Sequence, residues 1–336
     1  MKLAVIGAGS WGTALAITAA HAGCGEVRLW SRRHEQAETM ATTGRNPDYL
    51  CDVPLHEAVI PTADMAEAMR GVGAALLVAP AQSLRATARL MSPYCPAGLP
   101  VAICAKGIEL DTLKPMSAVL SEALPQAVSA VLSGPTFAGE VARGLPTAVV
   151  CASADAQARE TIVRAIRRPV FRPYLSDDVT GVEIGGAAKN VLAIACGIAT
   201  GMELGDNARA ALVTRALSEL TRLILALGGR VETATGLAVM GDLVLTAGSP
   251  QSRNMSLGIA LGQGETLADI LAARRGVTEG VKTAPALRAL ADRAGVDMPI
   301  VAAVDEVVTR GAAPASALRD LLARPIRAEG WMREEG

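Results

Sequence analysis

The chain has 336 residues, 51% of them hydrophobic and 19% charged, and a formal net charge of −1. That length and balance describe a globular protein with room for two domains and a large core, and they exclude a disordered chain. A near-neutral charge gives no general attraction to nucleic acid or an anionic membrane, and an aromatic content of 2% leaves few stacking surfaces for single strands, so any anion has to be held by local donors.

The first residues, MKLAVIGAGSWGTALAITAAHAG, have the charged start and small residues of a signal peptide, but Gly7, Gly9 and Gly12 interrupt the apolar stretch where such a peptide is continuous. A cytoplasmic location is the expectation. KLAVI (2–6) predicts a short buried strand, followed by the turn Gly7-Ala8-Gly9-Ser10-Trp11-Gly12, a helix from Thr13 to about Ala22 and a second strand, EVRLW. In this strand–turn–helix–strand setting G-x-G-x-x-G is a dinucleotide fingerprint. Gly7 permits the tight turn, Gly9 lets backbone approach a pyrophosphate, and Gly12 packs helix on strand, leaving the helix amides for the phosphates. The competing reading is a glycine turn that serves packing alone.

Further apolar runs, AALLVA (74–79), PVAICA (100–105) and SAVLSG (129–134), alternate with helical stretches, and TAVVCAS (147–153) and VFRPYLSDD (170–178) read as edge strands. Such alternation predicts a parallel sheet covered on both faces, with ligands beyond the carboxyl ends of the strands. That picks out Pro80 and Ala81, the segment Ala105-Lys106-Gly107, and the segment from Ser133 to Thr136. After Asp178 long helical patterns dominate, such as residues 208–229, and no strand is evident. The expected architecture is an α/β Rossmann-like doubly wound domain over 1–178 and an all-α domain over 179–336.

Cys24, Cys51, Cys95, Cys104, Cys151 and Cys196 are scattered without a C-x-x-C pair, and His21, His34 and His56 all fall in the first sixty residues, so no metal site is expected. At the end of the second strand, where a carboxylate would bind the ribose hydroxyls of NAD, stand Ser31, Arg32 and Arg33. Guanidinium groups can bind a 2′-phosphate, so NADPH is expected to serve at least as well as NADH; two solvated loop arginines are the plainer reading.

The helical half carries a lysine, Lys189, in the apolar run VEIGGAAKNVLAIACG (182–197), with Gly185 and Gly186 on the side toward which its side chain leans. Either the glycines leave room for a small molecule beside the ammonium, or the lysine snorkels to the surface beside a tight helix crossing. Only five of the 32 basic residues are lysines, and a lysine can release a proton where an arginine effectively cannot. Asp242, in MGDLVLT, is either a helix N-cap or a carboxylate orienting Lys189. Ser252, Arg253 and Asn254 form a polar island suited to phosphate oxygens, or else a surface loop, and Glu279 in GVTEGVKTAP is a site carboxylate or a solvated one.

The segments GAGSWGTALA, AKGIE (105–109), SGPTFAGEV (133–141), GGAAKNVLAIACGI, GDLVLT and SRNMSLG together give a chain that resembles the bacterial NAD(P)-dependent glycerol-3-phosphate dehydrogenases from Met1 to about residue 325. The resemblance implies reversible oxidation of sn-glycerol 3-phosphate to dihydroxyacetone phosphate, supply of the phospholipid backbone, and NADPH or NADH as cofactor. It implies that Lys189 is the general acid/base, assisted by Asp242. Ser10, Trp11, Arg32, Arg33, Lys106 and Ala138 would touch the cofactor, with Arg253, Val277 and Glu279 near it. Lys106, Gly134, Thr136, Lys189, Asp242, Ser252, Arg253 and Asn254 would surround the substrate. Thr136 stands where the family often has serine, and Trp11 where it often has tyrosine or phenylalanine.

A homodimer is the expected assembly, on the strength of the apolar helical domain. Two other functions compete. A reductase of another small keto acid would use Lys189 alike but has no need of the phosphate-like island, and an NAD(P)H-sensing regulator is disfavoured by the lack of a basic DNA-reading segment.

Overall fold

A computed structural model describes residues 1–273 and 278–325. These divide into two compact units, one of Met1–Lys106 with Met116–Val179, the other of Gly107–Pro115 with the chain from Thr180 onward. Segment 107–115, read from the sequence as part of the first domain, thus groups with the second. It closes on itself through a bridge between Ile108 and Pro115, and it carries no shift in composition that would have marked it.

The first unit is an eight-stranded sheet: β1 (Lys2–Ile6), β2 (Glu26–Trp30), β3 (Val59–Thr62), β4 (Ala74–Leu77), β5 (Pro100–Ile103), β6 (Val128–Ser133), β7 (Thr147–Ala152) and β8 (Phe171–Ser176). The spatial order is β3-β2-β1-β4-β5-β6-β7-β8. Its first six strands follow the doubly wound order that places a crevice at the carboxyl end of β1. Strands β1 and β4 are apolar almost throughout because helices cover both faces.

Two features depart from the sequence reading. β7 runs antiparallel to β6, so the sheet is not wholly parallel. The connection between them holds only the five-residue helix Ala138–Ala142, about 8 Å long. A six-residue strand is about 20 Å long, so the chain stays at the carboxyl end of the sheet and re-enters from there. The second is β3, which was not foreseen. It has four residues, one of them Pro61, and such a strand survives only at a sheet edge. Val27 and Ser31 donate their amides to the carbonyls of Ala58 and Thr62, so the even-numbered residues face β2 and Pro61 faces outward. At the opposite edge Thr147 and Ser153 bond to Val170 and Ser176 in the same way, which turns Pro173 of β8 outward.

The second unit is helical, with no strand among its described residues. Its central helix, Val179–Gly201, is long and apolar enough by composition to cross a membrane, but it is buried without a break from Gly181 to Gly197 and is a core helix. It crosses the helix Arg253–Gly262 backbone to backbone. A Cβ on Gly197 would sit 2.2 Å from the carbonyl oxygen of Met255, and one on Gly258 would sit 2.2 Å from that of Ile194. Gly201 and Gly262 repeat the contact one turn on, at 2.2 and 2.4 Å from the carbonyls of Ile259 and Ile198.

Candidate active site

In the sheet unit the fingerprint turn has the geometry its glycines predict. Gly7 has φ +123°, and a Cβ there would lie 2.8 Å from the Val78 carbonyl oxygen. A Cβ on Gly12 would lie 1.7 Å from the carbonyl oxygen of Gly7, so only glycine lets the helix meet the strand. On Gly9 it would meet no atom within 4 Å, which makes this the open side of the turn, where a side chain would fill the cradle. The helix Ser10–His21 starts at Gly9 with no side-chain cap and no acidic residue in its first turn. Its leading amides at Ser10, Trp11 and Gly12 are donors of the kind that bind a pyrophosphate. The residues present fit a dinucleotide.

The other predicted residues of this unit fall into two groups. Arg32 and Arg33 are both exposed; Arg33 pairs with Asp48. Ser31 occupies the place of the usual ribose-binding carboxylate and accepts a hydrogen bond from the Arg33 amide at 3.1 Å. Farther along the sheet, Lys106 Nζ and Thr136 Oγ1 both donate to the carbonyl of Gly134, at 3.0 and 3.3 Å. Gly134 has φ +147°, and a Cβ there would press on the Val149 Cα at 2.9 Å. Ala138 opens the short helix after β6 and packs on the core.

In the helical unit Lys189 does not snorkel. It is 7% exposed, and Nζ donates to Asp242 Oδ1 at 2.9 Å and to Thr246 Oγ1 at 2.7 Å. Thr246 in turn donates to Asp242 Oδ1 at 3.2 Å. Gly185 does not make room for a small molecule, as one reading of the sequence had it: a Cβ there would lie 2.2 Å from Val239 Cγ2. The gap admits the π-helical turn Leu237–Gly241, which delivers Asp242 to the lysine. Asp242 is not an N-cap, that position being Gly241; it is the first residue of the helix Asp242–Gly248, with its carboxylate turned inward. A buried ion pair is a weak source of stability, because desolvating two charges offsets their attraction. Its presence in a helix core therefore points to chemistry rather than to folding.

The polar island is used differently by its three members. Ser252 caps the helix Arg253–Gly262 by accepting from the Met255 amide at 3.2 Å, which leaves its own proton for another acceptor. Asn254 is buried and donates to Asn190 Oδ1 at 2.9 Å, while its Oδ1 accepts the Gly280 amide at 3.0 Å. Arg253 is the exposed member, at the first position of the helix. Glu279 begins the helix Glu279–Arg293, beside Gly280, where a Cβ would lie 2.7 Å from the Asn190 carbonyl oxygen. Val277 lies outside the described residues.

Two residues of this cluster escaped the sequence reading. Thr246 stands four positions after Asp242, a helical spacing that could have pointed to it. Asn190 adjoins Lys189 but points about 100° away around the helix, and only the packing shows that it meets Asn254.

A dinucleotide cradle in one unit and a buried, carboxylate-held amine in the other are what a nicotinamide-dependent oxidoreductase requires. Residues 2–159 match the profile of the NAD-dependent glycerol-3-phosphate dehydrogenase N-terminus, and residues 178–319 that of its C-terminus. The glycerol-3-phosphate dehydrogenase [NAD(P)+] of Rhodospirillum rubrum is 54% identical over 98% of this chain and 94% of its own. That of Parvibaculum lavamentivorans is 52% identical over 98% of both. A crystal structure of glycerol-3-phosphate dehydrogenase from Coxiella burnetii superposes with a TM-score of 0.92 at 39% identity, covering 96% of this chain and 99% of that one. The chain belongs to the NAD-dependent glycerol-3-phosphate dehydrogenase family.

Proposed function

We propose that this chain interconverts sn-glycerol 3-phosphate and dihydroxyacetone phosphate with NAD(P)(H), and so supplies the glycerol phosphate backbone of phospholipids. The observation that carries the reading is the Lys189 ammonium, buried and held by Asp242 and Thr246. When bound, the nicotinamide supplies or accepts the hydride. Lys189 gives its proton to the substrate oxygen during ketone reduction and takes the hydroxyl proton in the other direction. Asp242 orients the amine and offsets its charge, while Thr246 fixes a second N–H direction. Arg253 is the cation for the substrate phosphate, supported by the amide terminus of its own helix.

In the sheet unit the amides after Gly9 take the pyrophosphate, and Arg32 takes a 2′-phosphate. Trp11 and Ala138 line the cofactor, and Lys106 and Thr136 fix the chain around Gly134 for cofactor and substrate. The reading of the chain as a cytoplasmic homodimer belongs with this proposal. Absorbance at the nicotinamide band tests it, with dihydroxyacetone phosphate and each reduced cofactor. Oxidation of NADPH with a kcat/KM at least equal to that of NADH is expected. No oxidation with either refutes the activity, and a strong preference for NADH refutes the role of Arg32.

A further inference from the structure

The fingerprint turn of the sheet unit does not stand on its glycines alone. Ala8, between Gly7 and Gly9, offers its carbonyl to two buried side chains from elsewhere in the sequence: Asn46 donates from Nδ2 at 3.0 Å and Gln36 from Nε2 at 3.2 Å. Asn46 is fully buried and Gln36 is 5% exposed.

Each amide then reaches a different loop. Gln36 Oε1 accepts the hydroxyl of Ser31 at 2.6 Å, and Ser31 Oγ holds the Arg33 amide. Asn46 Oδ1 accepts from Gln36 Nε2 at 3.1 Å and from the amides of Asp48 and Tyr49 at 3.1 and 3.2 Å, and its Nδ2 also donates to Thr13 Oγ1 at 2.8 Å. Asp48, held in this way by its backbone, pairs with the Arg33 side chain. Arg33 is thereby anchored at both ends, and both anchors lead back to the carbonyl of Ala8.

We propose that Gln36 and Asn46 are positioning residues of the dinucleotide site, a buried amide bridge that fixes the pyrophosphate turn to the Ser31–Arg33 loop. Buried amides are retained in an apolar core only when their hydrogen bonds are met, and here they end on the fingerprint turn at Ala8, on its helix at Thr13, and on Ser31 and the backbone of Asp48, the two residues that hold Arg33. A filler role would be served as well by leucine or methionine. The proposal rests on the cofactor reading above.

The test is fluorescence titration of NADPH and NADH into wild type, Gln36→Met and Asn46→Asp, alongside steady-state kinetics and thermal unfolding without cofactor. Gln36→Met keeps the volume and removes both the donor and the acceptor; Asn46→Asp keeps the acceptor for Asp48 and Tyr49 and removes the donors to Ala8 and Thr13. In each variant the Kd of both dinucleotides is expected to rise about ten-fold, the loss of one good hydrogen bond in effect. Turnover at saturating cofactor and the KM for dihydroxyacetone phosphate should stay within about two-fold. Unchanged dinucleotide affinity in both variants, whatever happens to stability, overturns the proposal and leaves the bridge a structural one. If Gln36→Met does not fold, Asn46→Asp decides alone. A wild type that binds neither dinucleotide overturns the cofactor reading itself, and the proposal with it.

Discussion

Lys189 shows how much one side chain can require of its surroundings. An ammonium in a helix core needs a counter-charge and acceptors, and Asp242 and Thr246 supply them from one helix, four residues apart. Lys189→Ala and Lys189→Arg separate the two things the residue brings. Alanine removes both charge and proton; arginine keeps the charge but cannot release the proton. Both are expected to lower kcat by a factor of about 100 or more with NADPH affinity little changed, and wild-type turnover in the arginine variant would exclude proton transfer at this position. Lysine at 189 was legible in the sequence because an apolar helix surrounds it. Its partners were legible in part: Asp242 follows a glycine in a short motif and Thr246 is marked only by its spacing from it, while the neighbouring Asn190 looks like any polar residue until Asn254 donates to it. In the sequence Ser252 and Asn254 are members of a polar island suited to phosphate oxygens or else of a surface loop. The structure shows what composition cannot, that one caps a helix and the other bridges two.

Among the elements, the crossing of the helices Val179–Gly201 and Arg253–Gly262 sets the register between Lys189 and Arg253. Gly258→Ala puts a Cβ 2.2 Å from the Ile194 carbonyl oxygen, a backbone atom with no rotamer to change. A loss of about 3 kcal/mol is expected, at the upper end for overpacking, together with lower turnover as Asn254 moves off Asn190. Gly248→Ala is the control, because a Cβ there meets nothing within 4 Å. Urea midpoints and kcat for the two variants check this, and equal midpoints would mean that the helices can move apart freely.

Another element junction responds to pH. Glu219, on the helix Gly205–Ala226, accepts the amide of Ile300 at 2.9 Å where the helix Pro299–Arg310 begins, and burial pushes its carboxyl up to about 7. An acid whose folded pKa exceeds its unfolded value binds more protons in the native state between the two, so stability falls as pH rises from about 4.5 to about 7, by on the order of 3 kcal/mol at most. In E219Q the amide oxygen keeps an acceptor for Ile300 without a charge. Its urea midpoint should gain on wild type between pH 5 and pH 8, and a constant difference across that range would show that Glu219 does not titrate there. None of this was visible in the sequence, where Glu219 is one charge in an amphipathic run. The strands, by contrast, were legible where apolar and β-branched or aromatic residues clustered between turns, and the one missed, β3, has Pro61 in its interior.

At the scale of the molecule the sheet and the helical half announce themselves by a change of texture near residue 178, while segment 107–115 changes allegiance with no such mark. Sedimentation equilibrium checks the homodimer, and a single species at the mass of one chain, 34.5 kDa, would refute it. The outward prolines bear on how two copies could meet. At both rims of the sheet the row of backbone donors is broken, at Pro61 on one side and at Pro173 on the other. Strand-to-strand zipping, by which exposed β margins fuse neighbouring molecules, is denied a continuous template at either end, so two copies meeting at these rims would have to rely on side chains fitting side chains.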